Sequence, residues 1–393
     1  MPKTFLNLCA FHFQTTPFSE TLKRMLEVKT IQEVATQDQK VFGPLAQLGH
    51  EQVLFCNDND LGLRAIIAIH NSTLGPALGG TRMWTYASDL DALNDVLRLS
   101  RGMTFKAAIS GLNLGGGKAV IIGDPRGSLK SEAFMRRFGM FVENLGGKYI
   151  TAEDVGTSTR DMEYIKMSTD HVTGIPTSMG GSGDPSPVTA YGTYLGMKAS
   201  MKKLTGSDSL AGKRVVVQGT GNVGYYLCEL LKKDGAKTFV YDIFEDKIAK
   251  VVKDFGVTVI KKEEVYSYDA DIFAPCALGA ILDENTIPQL KVSVVAGGAN
   301  NQLKDEVADG NRIKDRGILW APDFLINAGG LCNVYTELEG YTRERAYARA
   351  ETIYDTTLKC YNHAEANGIT TSKASIELAQ QRIDSMAKLS HYI

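Results

Sequence analysis

The chain has 393 residues, enough for two or three domains of about 150 residues, each able to bury its own core. Hydrophobic residues make up 44% and charged residues 22%, which excludes disordered, collagen-like and coiled-coil chains. Lys and Arg total 43 against 45 Asp and Glu, a net charge of -2, so there is no broad basic surface for nucleic acid, and small neutral or zwitterionic partners stay open.

In chain order, the apolar stretch 5–13 comes first, broken by Asn7 and His12, with no small-residue cleavage site after it and only Lys3 as a base before Glu20. The expected reading over 1–45 is a loosely packed extension, or translation from a start upstream of Met25, rather than a targeting signal. Strands are predicted at 52–56 and 64–70, a helix at 89–101 from Leu90, Leu93 and Leu97 at helical spacing, and a strand at 148–150. These make one α/β unit over 46–182. The Gly- and Pro-rich run 180–187 stops helix and strand alike and reads as a crossing between domains. A helix at 188–204 follows.

Residues 213–219 form an apolar strand, then come a glycine turn, a helix through 226–233 and a second strand at 238–241, which is a βαβ unit. Further strands at 273–275, 294–296 and 318–321 extend it to an open parallel sheet within 183–350. The tail from Arg343 is helical by spacing, and 351–393 are expected to return to the first domain. The fold class is therefore α/β, two domains with a cleft between them. The six cysteines, Cys9, Cys56, Cys228, Cys276, Cys332 and Cys360, are scattered without zinc spacing, which suits a reducing cytosol and no metal site. No apolar run approaches the roughly 18 residues of a membrane helix, so a cytoplasmic protein with no membrane partner is expected.

The sharpest motif is Gly219-Thr-Gly221-Asn-Val-Gly224, a G-x-G-x-x-G that directly follows a strand and opens a helix. Its glycines serve a tight turn, backbone approach to a pyrophosphate and close helix packing, with the phosphates at the helix N-terminus. Asp242, eighteen residues past Gly224, closes the second strand, where a carboxylate accepts ribose hydroxyls and repels a 2′-phosphate. The pair predicts a Rossmann-type domain that binds NAD rather than NADP.

In the first half, Lys106 and Lys118 lie twelve apart, the second closing Gly111-Leu-Asn-Leu-Gly-Gly-Gly-Lys118. A phosphate loop is excluded, because its first glycine would fall at Leu112 and Ala119 replaces the required hydroxyl. If both lysines enter one cleft, mutual repulsion and partial burial lower their proton affinity, so one can act as an amine base while the other holds an anion. The bland alternative is a pair of surface cations. Asp154, after the strand at 148–150, is placed for proton transfer; Glu153 is the alternative acid, and a helix cap is the structural one. None of the six histidines sits in these motifs, which speaks against a 2-hydroxy-acid dehydrogenase, and His70 reads as structural.

Seven stretches carry a resemblance: Leu74-Gly-Pro-Ala-Leu-Gly-Gly-Thr-Arg-Met-Trp84, the loop 111–118, Thr151-Ala-Glu-Asp-Val-Gly156, Pro185-Ser-Pro-Val-Thr-Ala190, Ala274-Pro-Cys-Ala-Leu278, Asn300-Asn-Gln302 and Ile326-Asn-Ala-Gly-Gly330. Together they resemble the glutamate/leucine/phenylalanine/valine dehydrogenases, most closely the leucine branch, over about 50–384. The resemblance implies reversible NAD-dependent deamination of an L-amino acid to a 2-oxo acid and ammonia. It implies Lys106 on the substrate carboxylate, Lys118 as the amine that activates water, and Asp154 as the proton shuttle. It also places Thr189 and Asn300 or Asn301 near the nicotinamide, and Leu78, Met103, Ala152, Leu331 and Val334 around the substrate side chain. Those five are uncharged, which disfavours glutamate and leaves leucine, valine or isoleucine, with phenylalanine as runner-up because 180–183 is spelled as in phenylalanine dehydrogenases. A homo-oligomer, octamer or dimer, is implied too. A non-catalytic NAD-binding regulatory subunit is the rival, but such a chain should have lost Lys118 or Asp154.

Overall fold

Apolar, β-branched runs separated by glycine and polar turns build two sheets in the part of the chain that follows Leu48. The computed structural model describes residues 41–389 and divides between Leu48 and Gly49 into two compact units. In the first unit the described helix is α1 (Phe42–Leu48); the expectations for 5–13 and for a start upstream of Met25 fall outside the described residues.

The first sheet takes β1 (Gln52–Asp58), β2 (Leu63–Asn71), β3 (Ala77–Trp84), then helix α2 (Asp89–Ile109), β4 (Gly115–Ile122), helix α3 (Glu132–Glu143), β5 (Tyr149–Glu153) and helix α4 (Thr159–Lys166). The strand order is β1-β2-β4-β3-β5, with β2 antiparallel to β1 and β4, and β3 parallel to β4 and β5. Ser88 caps α2 by accepting the Asp91 N–H. The helix does not stop at Arg101 but runs to Ile109, because Gly102 is exposed and costs little packing while Phe105, Ala107, Ala108 and Ile109 continue the buried face. Lys106 therefore sits in its last turn. Phe134, Phe138 and Val142 of α3 cover the other sheet face, against Ala77, Met83, Ala119, Ile121 and Tyr149.

The second sheet begins after α5 (Ser186–Thr205), whose first turn holds Pro187. Its elements are β6 (Arg214–Gln218), α6 (Asn222–Lys233), β7 (Lys237–Tyr241), α7 (Glu245–Phe255), β8 (Thr258–Val259), β9 (Ile272–Pro275), β10 (Val294–Val295), α8 (Ala308–Asp315) and β11 (Leu319–Trp320). All pairs are parallel, in the order β11-β10-β9-β6-β7-β8, so the order reverses beside β6. That reversal puts a crevice at the C-terminal end of β6, where the glycine turn stands.

The chain closes with α9 (Asp323–Ile326), α10 (Gly329–Glu337), α11 (Arg343–Asn367) and α12 (Thr371–Ala387). Helix α11 packs on α5, and α12 packs on α2. Arg382 of α12 donates to Leu112 O at 2.6 Å and to Asn113 Oδ1 at 2.9 Å, which ties the tail to the turn between α2 and β4. Residue 351 lies inside continuous α11. Among the described residues no helix is long and apolar enough to cross a membrane.

Candidate active site

Strand alternation sorts the first sheet into two faces. The register sets Leu78 beside Gly116 and Ile150, and Gly80 beside Ala152, so these residues share a face with Arg82 and Lys118. Asp154 follows β5 on the same side. Helix α2 lies so close across this face that a Cβ on Gly116 would fall 2.1 Å from the Thr104 backbone nitrogen. The glycine run is thus a packing surface, and it brings Lys106 over the strand that carries Lys118.

Lys118 is buried, its Nζ 3.0 Å from Asp154 Oδ2. Arg82 Nε donates to that same oxygen at 3.0 Å. Arg82 is itself held by Asp95 at 2.9 Å, and Asp95 also accepts from Tyr86 at 2.8 Å and Arg98 at 2.9 Å. On the other side Lys106 Nζ donates to Asn327 Oδ1 at 2.6 Å, and the Asn327 amide donates to Asn300 Oδ1 at 2.7 Å.

Burial pulls the Lys118 amine below its ordinary range, against the pull of Asp154. Enclosure by protein brings Lys106 down to about 8, with Asp323 opposing and Lys118 adding to the effect. Burial, not repulsion between the two lysines, is the larger cause, which corrects the weight given to repulsion in the sequence reading. Burial alone would raise the Asp154 carboxyl, but Lys118 and Arg82 hold it below the usual carboxylate range. An amine of lowered proton affinity beside a carboxylate kept ionised is equipped to move protons. Glu153 points away from the lysines, accepting from Thr159, and the cap of α4 is Ser158 with Asp161 rather than Asp154. His70 accepts or donates at 2.8 Å to Thr104, a packing role under α2.

The apolar side of the site is one cluster: Leu78, Met103, Leu331 and Val334 meet with Ala107, Leu112, Leu114, Ile150, Cys332 and Tyr335. Ala152 is buried on the same sheet face but outside that cluster. Helix α10 supplies Leu331 and Val334, so the second half of the chain completes this cluster.

At the end of β6, Gly219 takes φ +98°, a left-handed turn that disfavours a side chain. A Cβ on Gly224 would lie 2.0 Å from Gly219 O, while Gly221, the N-cap of α6, has open space around its would-be Cβ. Asn222 is exposed beside it, and Val223 packs at Gly298. Asp242 Oδ2 accepts from the Thr220 N–H at 2.6 Å and Oδ1 from the Phe244 N–H at 3.1 Å. Burial would raise this carboxyl, but those N–H groups hold it down and ionised. This turn fits a dinucleotide pyrophosphate: one glycine turns, one packs, and one leaves room. Thr189, in the first turn of α5, faces Gly330, where an added Cβ would come within 2.7 Å of its hydroxyl. Asn300 is bonded toward Lys106 through Asn327, whereas Asn301 turns the chain at φ +51°. Among the described residues no group of His, Cys, Asp or Glu is disposed to hold a metal ion.

The family model of the Glu/Leu/Phe/Val dehydrogenase dimerisation domain matches residues 50–171, and that of the glutamate/leucine/phenylalanine/valine dehydrogenases matches 180–244 and 242–390. The chain belongs to this family. It is an amino acid dehydrogenase, an oxidoreductase. It is 54% identical to leucine dehydrogenase of Geobacillus stearothermophilus over 349 residues, 89% of this chain and 95% of that one. It is 47% identical to phenylalanine dehydrogenase of Bacillus thermotolerans over 348 residues, 87% and 91% of the two chains. The crystal structure of L-tryptophan dehydrogenase from Nostoc punctiforme matches it with a TM-score of 0.79 at 44% identity, over 88% of this chain and 100% of that one. Aliphatic and aromatic enzymes both stand this near, so family membership alone does not choose the side chain.

Sequence reasoning missed Arg82, Asn327, Gln302 and Asp323 as site residues, although the first three lie inside quoted motifs. Buried Asp323, raised to about 6 by burial, accepts the Gln302 N–H at 2.8 Å, and Gln302 donates to Gly297 O at 2.7 Å. They shape the loop that presents Asn300. For Arg82 a signal existed, since residues 78, 80 and 82 share a strand face; for Asp323 none did.

Proposed function

We propose that this dehydrogenase catalyses reversible NAD-dependent deamination of a branched-chain L-amino acid, leucine with valine and isoleucine, to the 2-oxo acid and ammonia. The observation that carries the substrate choice is the uncharged cluster of Leu78, Met103, Leu331 and Val334 next to the lysine site. An aliphatic side chain gains about 1.5–3 kcal/mol by full burial in such a place, whereas a glutamate γ-carboxylate would enter unpaired.

In this reading Gly219, Gly221, Asn222, Val223 and Gly224 hold the pyrophosphate at the start of α6. Asp242 takes the ribose hydroxyls and repels a 2′-phosphate, and Thr189 and Asn300 flank the nicotinamide end. Bound NAD supplies the acceptor for the hydride that leaves the substrate Cα. Lys106 holds the α-carboxylate. Asp154 takes a proton from the substrate ammonium before the hydride leaves, Lys118 takes one from the water that adds to the resulting imine, and Asp154 returns its proton to the departing ammonia. The burial that lowers Lys118 and the ion pairs that keep Asp154 charged support these roles. Closure of the cleft would keep bulk water from the imine. The enzyme is taken to work as a homo-oligomer, dimer or octamer, in the cytoplasm.

The test is NADH formation with L-leucine, L-valine, L-isoleucine, L-phenylalanine, L-tryptophan and L-glutamate in turn, with Lys118→Ala as control. Branched-chain substrates should be fastest, and the variant should lose at least about a thousandfold in kcat. Faster turnover of phenylalanine or tryptophan would overturn the substrate assignment. Full activity of the variant would overturn the role of Lys118.

A further inference from the structure

We propose that Arg82 is a positioning residue of the reaction, dividing the Asp154 carboxylate with Lys118 and anchoring it through Asp95 so that it stays aimed at the reacting centre. The inference rests on the function proposed above. Arg82 Nε and Lys118 Nζ meet the same atom, Asp154 Oδ2, each at 3.0 Å. One carboxylate oxygen shared between two cations holds each less firmly than it would hold one, so the amine is not locked into its protonated form. Donors on two sides of the planar guanidinium let Arg82 face Asp154 and Asp95 at once through separate nitrogens in a fixed geometry, whereas a lysine offers one nitrogen on a flexible stem.

The anchor behind Arg82 is built from several elements. Asp95 on α2 accepts from Arg82, from Tyr86 in the loop before α2 and from Arg98 one turn on. The alternation runs Lys118, Asp154, Arg82, Asp95, Arg98, three cations and two anions counted from the buried amine out to the surface. Arg82 also lines an open cavity of about 500 Å³ with Trp84, Tyr86, Asp95 and Val155. Its side chain therefore stands between that cavity and the carboxylate.

The sign of its influence follows from the groups that face the pair: Arg82 from β3, Lys118 from β4, Asp154 after β5, Asp95, Tyr86 and Lys106 from α2 and its approach, and Asp323 behind Lys106. Arg82 opposes protonation of Lys118 and favours ionisation of Asp154. Without it, Lys118 loses its proton only at higher pH. The limb of the rate profile that reports a neutral Lys118 then moves up.

The test is kcat and KM against pH for the wild-type full chain, Arg82→Met, Arg82→Lys and Asp95→Asn, on the amino acid it turns over fastest. Methionine keeps the bulk against the cavity and removes the charge. Arg82→Met should move the limb upward by about one pH unit and lower kcat by about tenfold or more, with KM for the amino acid changing far less. Arg82→Lys should recover part of both, and Asp95→Asn, which removes a charge that favours protonated Lys118, should shift the limb the opposite way by less. An unmoved limb in a folded Arg82→Met overturns the proposal, as does an equal loss in the methionine and lysine variants with no shift. Should Arg82→Met fail to fold, Arg82→Gln decides, an upward limb supporting and an unmoved one overturning. A wild type without turnover on any amino acid would overturn the proposed function and this inference together, whereas an active wild type with unshifted variants overturns this inference alone.

Discussion

The glycines of β4 and those of the turn after β6 read alike in the sequence but surround themselves differently. In β4 the space that a side chain would take is filled by protein: a Cβ on Gly115 would meet Asn71 O, one on Gly116 the Thr104 backbone, and one on Gly117 the Tyr149 ring. In the turn after β6 the outer two glycines are filled in the same way, but Gly221 faces open space. The first cluster thus lets one part of the protein approach another and sets the distance between the lysines. The second keeps one position free at a helix N-terminus, where backbone N–H groups favour an anion. What occupies the missing side chain, rather than the glycine count, separates a packing motif from a binding motif.

That contrast breaks most sharply at Gly116. Gly116→Ala should push α2 off β4, because the clash is with backbone that cannot turn aside, and overpacking of this kind costs about 1–3 kcal/mol or more. The expected outcome is a lowered Tm and loss of most turnover; a variant with wild-type Tm and kcat would show that α2 does not need this approach.

Gly221→Ala should do the reverse. Its φ of -64° suits alanine and nothing lies within 4 Å, so stability should stay within about 0.5 kcal/mol. The cofactor KM should rise by about tenfold, equivalent to about 1.4 kcal/mol. An unchanged cofactor KM would remove the reason for assigning the pyrophosphate here.

The smallest effect separates the halves by pH. Lys106 stands at about 8, well below its ordinary value, and only its charged form attracts a carboxylate. Raising the pH through 8 should therefore raise KM for the 2-oxo acid in the reductive direction, with a limit of about tenfold per pH unit. KM for NADH should stay nearly flat, since Asp242 is held ionised throughout that range. A parallel rise in both would mean that the titrating group is not confined to the lysine site.

Much of this was legible beforehand because it depends on local periodicity. The apolar run before Gly219, the turn itself and Asp242 form a contiguous βαβ unit, and the strands at 272–275 and 294–295 stand where their composition suggested. The lysine site was less legible. The periodicity ends the helix at Arg101, since Gly102 punctuates the pattern, but a Cβ there would meet nothing and the helix runs on through Met103 to Ile109. The strand before Asp154 runs to Glu153, so that residue closes a strand more tightly than 148–150 implied. Arg82 stood in view inside a quoted motif, but its partner Asp154 lies 72 residues on.

By itself the sequence determined the βαβ unit around Gly219, where a dinucleotide turn can form, and which residues have the chemistry to move protons, since all of these rest on neighbouring residues and on side-chain type. Only the tertiary structure decided that β4 lies between β2 and β3, that Arg82 and Lys118 share one oxygen of Asp154, and that Lys106 reaches Asn327 across 221 residues. Those outcomes come from long-range strand pairing and from burial. Burial also sets the proton affinity of the two lysines, and its extent exists only once the sheet, α2 and α10 have closed over them.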